Sequence, residues 1–231
     1  VIDHYGENDT RVFREVCRVG ETLKAISELA GSEVKSQVAM IYDWDSRWAM
    51  EDSKGPRNDG LHHQEMLLKY YRAFRKQGMN VDLIDMDCSI EGYQVLVLPM
   101  TYMFKQGFAE KVRAFVEQGG VLITTYWSGI ADDTDRCYLG GTPHGLMDVL
   151  GLRSTEIDGL FDWEENQFMP VDGNELGLFR EYTCKYLCDL VRLDGAQALM
   201  TYGSDFYQGY PALTVNRYGK GSAWYVAADT E

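Results

Sequence analysis

The stretch QVAMIYDWDSRWA, residues 37–49, decides the fold that we predict for this chain. Its first part, residues 38–42, is a short apolar run with β-branched and aromatic members, which is typical of a strand buried on both faces of a parallel sheet. Polar and aromatic side chains then follow at once: Asp43, Trp44, Asp45, Arg47 and Trp48. Because ligands and partners of open α/β proteins bind at the carboxyl ends of strands, we expect this stretch to lie at the functional edge of the sheet.

The segments after this stretch alternate between strands and helices. Apolar runs predict strands at residues 81–85, 95–98 and 121–126, and helical spacing predicts a helix on either side of the middle strands. Asp59 is expected to cap the first of these helices and Gly78 to end it. Residues 46–58, with Gly55-Pro56, are expected to form a loop. This order predicts an α/β fold: a three-layer, open, mostly parallel sheet with helices on both faces.

The pattern changes after Trp127. Residues 128–145 are expected to form a long loop, and residues 146–150 a helical turn. Short β segments follow near 155–157, 167–171, 187–193 and 198–202. Residues 212–217 and 222–227 flank the turn sequence YGKG, residues 218–221, and therefore predict a hairpin. The C-terminal half is thus expected to add β-hairpins to the sheet.

An amphipathic helix precedes the first strand. Its apolar stripe has helical spacing and consists of Val12, Val16, Val19, Leu23 and Ile26. A helix in this position has no obvious sheet of its own to cover. We therefore expect residues 1–36 to be the leader and helix at the end of a preceding domain, and residues 37–231 to form a second domain; the initial Val1 agrees with an excised piece of a longer chain.

Composition excludes several classes of partner. The chain has 231 residues and a formal net charge of −14, which argues against nucleic acid and anionic membranes, since both bind basic surfaces. Five scattered cysteines without a CxxC motif argue against a disulfide framework and favour a reducing compartment, the cytoplasm. No apolar run approaches the ~20 residues of a membrane span.

Cofactor and metal motifs are absent from the sequence. No GxGxxG follows the first strand and no GxxxxGK[ST] occurs, so we expect no nucleotide cofactor. Cys184 and Cys188 are the only two cysteines close in sequence, and a structural zinc site needs four ligands. We therefore expect no metal.

The turn after the fourth strand reads Tyr126-Trp127-Ser128-Gly129. The architecture is similar to the class I glutamine amidotransferase-like (flavodoxin-like) sheet, whose enzymes hold a nucleophilic cysteine on such a turn with a histidine partner. Cysteine is absent here. Ser128 with His144 is therefore one alternative, a stand-alone hydrolase or amidotransferase-like enzyme. His62 and His63 are expected to be solvated residues on a helix surface.

The cluster of Trp44, Arg47 and Trp48 has two interpretations. It is either a structural corner, in which Arg47 pairs with Asp43 or Asp45, or a protein interface, where Trp and Arg are the usual anchors. A carbohydrate-binding module that uses Trp44, Trp48 or Trp127 is a further alternative.

Ordered motifs along nearly the whole chain resemble one family. They are DWDSRWAMED (43–52), Gly55-Pro56, YYRAFRKQGMNVD (70–82), GYQVLVLPM (92–100), GGVLITTYWSGIADDTD (119–135), LGG (139–141) and GYPALTVNRYGKGSAWYVA (209–227). Together they resemble the middle, trimerisation domain of family 42 glycoside hydrolases, the bacterial β-galactosidases. Trp127 departs from the TYRSG-like turn expected there, so the resemblance implies no specific polar role for this turn.

The resemblance implies a non-catalytic function. In that family a catalytic barrel, which carries the two catalytic glutamates, precedes this amidotransferase-like domain, and residues 9–16 look like the stretch that leaves the barrel. No catalytic residue therefore carries over. The implied role is to assemble a trimer and wall the active-site approach of an enzyme that hydrolyses terminal β-D-galactosyl residues. The implied partners are further copies of the chain, the barrel of the same parent chain and, through the parent, a galactoside. The candidate residues for the interface or the active-site approach are Trp44, Asp45, Arg47, Trp48, Tyr126, Trp127 and Ser128.

Overall fold

The computed structural model describes residues 4–53, 55–57 and 61–230, so the predicted cap Asp59 lies outside the described residues. The chain divides into two compact units at the boundary between Lys35 and Ser36. The first unit contains α1 (Arg11–Ala25), followed by a short 3-10 turn (Ser27–Leu29). The Thr10 side chain caps α1 by accepting the N–H of Phe13 at 3.2 Å. The predicted apolar stripe is present, and none of the residues of α1 is buried.

In its described residues, the second unit is built on one mixed sheet with four helices. The helices are α2 (Trp44–Asp52), α3 (His63–Lys76), α4 (Phe108–Glu117) and α5 (Met147–Leu150). The strands are β1 (Val38–Ile41), β2 (Val81–Ile84), β3 (Val95–Leu98), β4 (Val121–Thr125), β5 (Leu152–Gly159), β6 (Asn166–Pro170), β7 (Tyr182–Leu193), β8 (Gln197–Tyr202), β9 (Pro211–Tyr218), β10 (Gly221–Val226) and β11 (Ala228–Thr230).

The sheet has a parallel part and an antiparallel part. Strands β2, β1, β3, β4 and β10 lie side by side in that order and are parallel. Strand β9 then pairs antiparallel with β10, and β8, β6, β7 and β11 continue the sheet, with β5 paired to β7. The predicted mixed α/β architecture, a parallel sheet with extra antiparallel strands, is confirmed.

Alternate residues of β1 face opposite sides of the sheet, as the two-residue period of a strand requires. Val38 and Met40 pack in one apolar cluster with Leu67 of α3. Ala39 and Ile41 pack in another cluster, which contains residues of α4. Helices therefore cover both faces, and β1 is buried throughout.

The structure differs from the sequence prediction in two places. Residues 46–58 were expected to form a loop, but most of α2 lies there, because the Asp43 carboxylate accepts the N–H of Ser46 at 3.1 Å and caps the helix. Strand β11, which pairs with β7 at the end of the chain, was not predicted.

Candidate functional site

Strands β1, β3, β4 and β8 all end at one edge of the sheet, which we call the carboxyl edge. Helix α2 and the 126–129 turn follow β1 and β4 there. The start of β6 is joined to the same edge, because Asn166 accepts the N–H of Ser204, just after β8, at 3.1 Å. The sequence-predicted candidates therefore do lie along one edge, as the chain order requires.

Lys105, which follows β3, holds together three carboxylates that follow β1 and β2. Lys105 Nζ lies 2.8 Å from the carboxylate of Asp43, 3.0 Å from that of Asp45 and 3.2 Å from that of Asp87. Burial lowers the pKa of Lys105, but hydrogen bonds to the three carboxylates outweigh it and raise the pKa above its ordinary value. The pairing of Arg47 with Asp43 or Asp45, which the structural-corner interpretation included, is therefore not present among the ion pairs of these residues. Lys105, which sequence reasoning missed, is their partner.

Arg47 is instead fixed among aromatic rings. Its Nε lies 2.7 Å from Glu51, one helical turn along α2. Its guanidinium donates to the Tyr42 hydroxyl and lies 5.1 Å from the ring centre of Trp44. Trp44 and Trp48 have centroids 5.7 Å apart and are 51% and 57% exposed. We call Trp44, Arg47 and Trp48 the α2 surface.

The 126–129 turn is closed to solvent. The side chains of Tyr126, Trp127 and Ser128 are buried within the chain. Trp127 has a φ of +57°, and its ring lies against Gly55, where an added Cβ would stand 2.5 Å from the nearest ring carbon. Its Nε1 has no hydrogen-bond partner among the described residues. Trp127 is therefore not available to stack on a sugar.

Ser128 and His144 do not form a catalytic pair in this geometry. The Ser128 hydroxyl accepts the N–H of Thr101 at 3.0 Å. The His144 ring stacks on Tyr138 with centroids 3.8 Å apart, and no hydrogen bond joins His144 to Ser128 in the described part of the chain. A nucleophile elbow presents its reactive residue on an exposed, strained turn. Here the residue with positive φ is the buried Trp127.

A serine-directed fluorophosphonate probe is therefore expected to leave Ser128 unlabelled. The hydroxyl is buried and already accepts a backbone hydrogen bond, so no base activates it toward the probe. Peptide mass spectrometry of the treated chain measures this directly. Labelling at Ser128 that disappears in Ser128→Ala would contradict the geometry and favour the hydrolase alternative.

His63 was expected to be solvated, but it is buried. Its ring stacks on Tyr42 with centroids 5.7 Å apart and planes 3° from parallel. Burial lowers the pKa of His63 to about 4, and the nearby Arg47 adds to this effect. His62, one position earlier, is exposed and contacts the edge of Tyr186. The sequence missed this burial because it depends on Tyr42, which α3 meets only in the fold.

The cysteines and acidic side chains of the described residues form no metal centre. Among the described residues, no group of three or more His, Cys, Asp or Glu side chains is arranged to hold a metal ion. All five cysteines are free, and Cys184 and Cys188 are buried in β7. In the same described ranges, no helix has the length and apolar character needed to cross a membrane.

A second exposed aromatic group lies at the carboxyl edge, and sequence reasoning missed it. Phe161 and Trp163 lie in the loop between β5 and β6 and stack on each other with centroids 4.9 Å apart. Their signal was the sequence FDW just before a predicted strand, but nothing in the sequence shows that both rings point outward.

Comparison with known families gives one match over most of the chain. The family described as "Beta-galactosidase trimerisation domain" matches residues 36–231. The chain is 48% identical over 231 residues to β-galactosidase BglY of Alicyclobacillus acidocaldarius and 45% identical over 227 residues to β-galactosidase Pbg of Clostridium perfringens. It covers 100% and 98% of itself in these matches, but only 34% and 33% of those relatives.

Solved structures agree with the sequence matches. A cold-adapted β-galactosidase from a Rahnella species has a TM-score of 0.86 and 50% identity, and β-galactosidase from Bacillus circulans sp. alkalophilus has a TM-score of 0.85 and 38% identity. Each comparison covers 100% of this chain and 34% of the solved chain. The chain therefore spans about a third of the length of the proteins that it resembles.

Proposed function

The chain belongs to the β-galactosidase trimerisation domain family, and on that premise we propose that it is the non-catalytic middle part of a larger enzyme that hydrolyses terminal β-D-galactosyl residues. The relatives that support this proposal are named β-galactosidases, and the chain spans about a third of each. The carboxyl edge carries no pair of a nucleophile and a base in the described residues. Its contribution to the parent enzyme is therefore structural.

The arrangement of the parallel strands supports the finer classification of the fold. The order β2-β1-β3-β4-β10 corresponds to the 2-1-3-4-5 order of flavodoxin-like sheets. We assign residues 37–231 to a class I glutamine amidotransferase-like trimerisation domain in which Trp127 fills the corner that a nucleophile occupies in such enzymes. Residues 1–36 are assigned to the end of the preceding catalytic barrel; the exposed apolar stripe of α1 supports this.

The α2 surface is the feature that best supports a role in assembly. Two indoles, each about half exposed, flank a guanidinium that is already held by Glu51 and Tyr42. Tryptophan and arginine are the residue types most enriched at the energetic centres of protein interfaces. A surface that is fixed before binding also loses little side-chain entropy when a partner covers it. The proposed partners are further copies of the parent chain, in a trimer whose domains wall the active-site approach, with Asp45 beside the indoles.

Sedimentation equilibrium of the 231-residue chain tests this proposal. The wild-type chain is expected to form trimers. Trp48→Ala is expected to raise the dissociation constant at least about tenfold, as truncation of an interface hot spot does. The control is Phe179→Ala, which removes an even more exposed aromatic ring on the loop between β6 and β7. A wild-type chain that stays monomeric at all concentrations would contradict the proposal.

A further inference from the structure

A ring of three copies needs two different surfaces on each copy. Its interfaces are heterologous, so that one patch of each copy meets another patch of the next. If the proposed function holds, the α2 surface supplies one of these patches. The second patch must be found elsewhere on the chain.

The loop between β5 and β6, residues 160–165, has the properties of a preformed anchor, and we call it the aromatic loop. Phe161 and Trp163 are 60% and 79% exposed, and their planes are within 2° of parallel. Phe161 N–H donates to the Glu164 side chain at 2.9 Å, and Glu164 N–H donates to the Phe161 carbonyl at 2.9 Å. Since the turn is closed by these bonds, the stacked rings are held in place before any partner arrives.

The charges of the aromatic loop indicate the kind of partner. Asp162 pairs with Arg57, which also donates to the Leu160 carbonyl. Glu165 lies 2.8 Å from Lys185, and Glu164 is engaged in the turn. Burying an unpaired carboxylate is costly. A protein surface can cover this loop without that cost, because each of its carboxylates already has a partner. A small-molecule site is concave and encloses most of its ligand, whereas the two rings of this loop are 60% and 79% exposed. A protein partner is favoured.

The position of the aromatic loop matches that of the α2 surface. Asn166, at the end of the loop, donates to the Ser204 carbonyl at 3.0 Å, which holds the loop at the carboxyl edge. Arg57, whose ion pair fixes Asp162, lies in the segment that follows α2. Both patches are thus on the same edge of the sheet. An edge that faces a threefold axis can contact one neighbour with each patch.

We propose that the aromatic loop of one copy docks on the α2 surface of the next copy and so closes a ring of three. This inference rests on the proposed function and adds the two surfaces and their pairing. Trp163, the most exposed ring of the loop, inserts beside Trp44 and Trp48, where aromatic pairs add energy beyond the area that they bury.

A mixing experiment tests the pairing. Trp163→Ala with Phe161→Ala removes the loop patch, and Trp44→Ala with Trp48→Ala removes the α2 patch. Each double variant alone is expected to be monomeric in sedimentation velocity, because a heterologous contact needs both patches. An equimolar mixture is expected to form a one-to-one heterodimer, because one intact loop then meets one intact α2 surface. Circular dichroism melting curves verify that both variants are folded.

The control is Phe179→Ala, which removes a ring that is 78% exposed but lies at the opposite end of β6 from the aromatic loop. It is expected to assemble like the wild type. A loop variant that still forms trimers would overturn the pairing while the proposed function stands. Two monomeric variants that form no heterodimer would also overturn it. A monomeric wild type would overturn the proposed function and this inference with it.

Discussion

Replacing Gly221 by alanine is expected to lower the free energy of unfolding by at least about 3 kcal/mol. This is near the upper end of the range for substitutions that add atoms to a packed site. A Cβ on Gly221 would stand 2.2 Å from the carbonyl oxygen of Gly120 and 2.3 Å from that of Val116. Both are backbone atoms, one in the last turn of α4 and the other directly before β4, so neither can rotate away as a side chain would. Relief of the clash requires the hairpin to move off the end of α4.

The position of this hairpin explains the size of the effect. Strand β10 pairs with β4 on one side and with β9 on the other, and therefore joins the parallel and antiparallel parts of the sheet. Next to Gly221, Lys220 N–H donates to the Glu117 carbonyl at 3.0 Å and Ser222 N–H to the Gly120 carbonyl at 3.3 Å. Movement of the hairpin would weaken these contacts together with the β4–β10 pairing.

Urea unfolding followed by circular dichroism measures the change. Gly173→Ala is the matched control: its φ is +71°, and no atom lies within 4 Å of the Cβ that it would gain. Only the cost of the backbone conformation, about 1 kcal/mol, applies there. An equal loss of stability in the two variants would show that the close approach at Gly221 is not the cause.

The sequence predicted the features that are encoded locally. The buried run of β1, the glycine-rich turn between β9 and β10 and the loop after Trp127 all carry their signals within a few residues. Helix α2 was missed because charged and aromatic residues fill it, and its cap at Asp43 is indistinguishable in sequence from a loop aspartate. The pairing of Asp43 with Lys105 and the burial of His63 bring together separate segments of the chain, so neither could be predicted.

The same distinction applies to the aromatic residues of the carboxyl edge. Residue type alone placed Trp44, Trp48 and Trp127 in one group, but the structure separates them. Trp44 and Trp48 are exposed on α2, whereas Trp127 turns inward against Gly55. Trp127 can be buried because Gly55, which is distant in sequence, has no side chain and leaves space for the indole. Phe161 and Trp163 were missed because a local sequence cannot show that no other segment of the chain packs over their rings.

Two buried titratable groups have opposite effects on stability as the pH changes. Asp189, in the centre of β7, is fully buried, and burial raises its pKa to about 7 against the hydrogen bond that it accepts from Tyr225. In the unfolded chain an aspartate has a pKa of about 3.9. Between these values the folded state binds a proton that the unfolded state has lost. The free energy of unfolding contributed by Asp189 therefore falls as the pH rises from about 4 to about 7.

His63 acts in the opposite direction. Its folded pKa is lowered to about 4, whereas an unfolded histidine has a pKa of about 6.5. In this window the unfolded state binds a proton that the folded state lacks. The contribution of His63 therefore rises as the pH increases from about 4 to about 6.5 and is lost as the pH falls toward 4. Over the shared window the two contributions oppose each other.

Single substitutions are expected to reveal each slope. Asp189→Asn removes the falling contribution, so its stability relative to wild type is expected to increase by about 2 kcal/mol between pH 4.5 and 6.5. His63→Gln removes the rising contribution, and its stability relative to wild type is expected to decrease by a similar amount over the same range. Urea midpoints at pH 4.5, 5.5 and 6.5 measure both, and surface carboxylates cancel because every variant shares them.

The double variant, Asp189→Asn with His63→Gln, is expected to follow the pH dependence of the wild type. Its stability is expected to be lower at every pH, because the imidazole no longer packs on Tyr42. This outcome separates proton binding from packing, because a packing loss shifts all three midpoints together whereas a linked proton changes their slope. Single variants that keep the wild-type slope would show that neither group changes its protonation when the chain folds. Asp189 would then be ionised in the interior and His63 would titrate as it does in solvent.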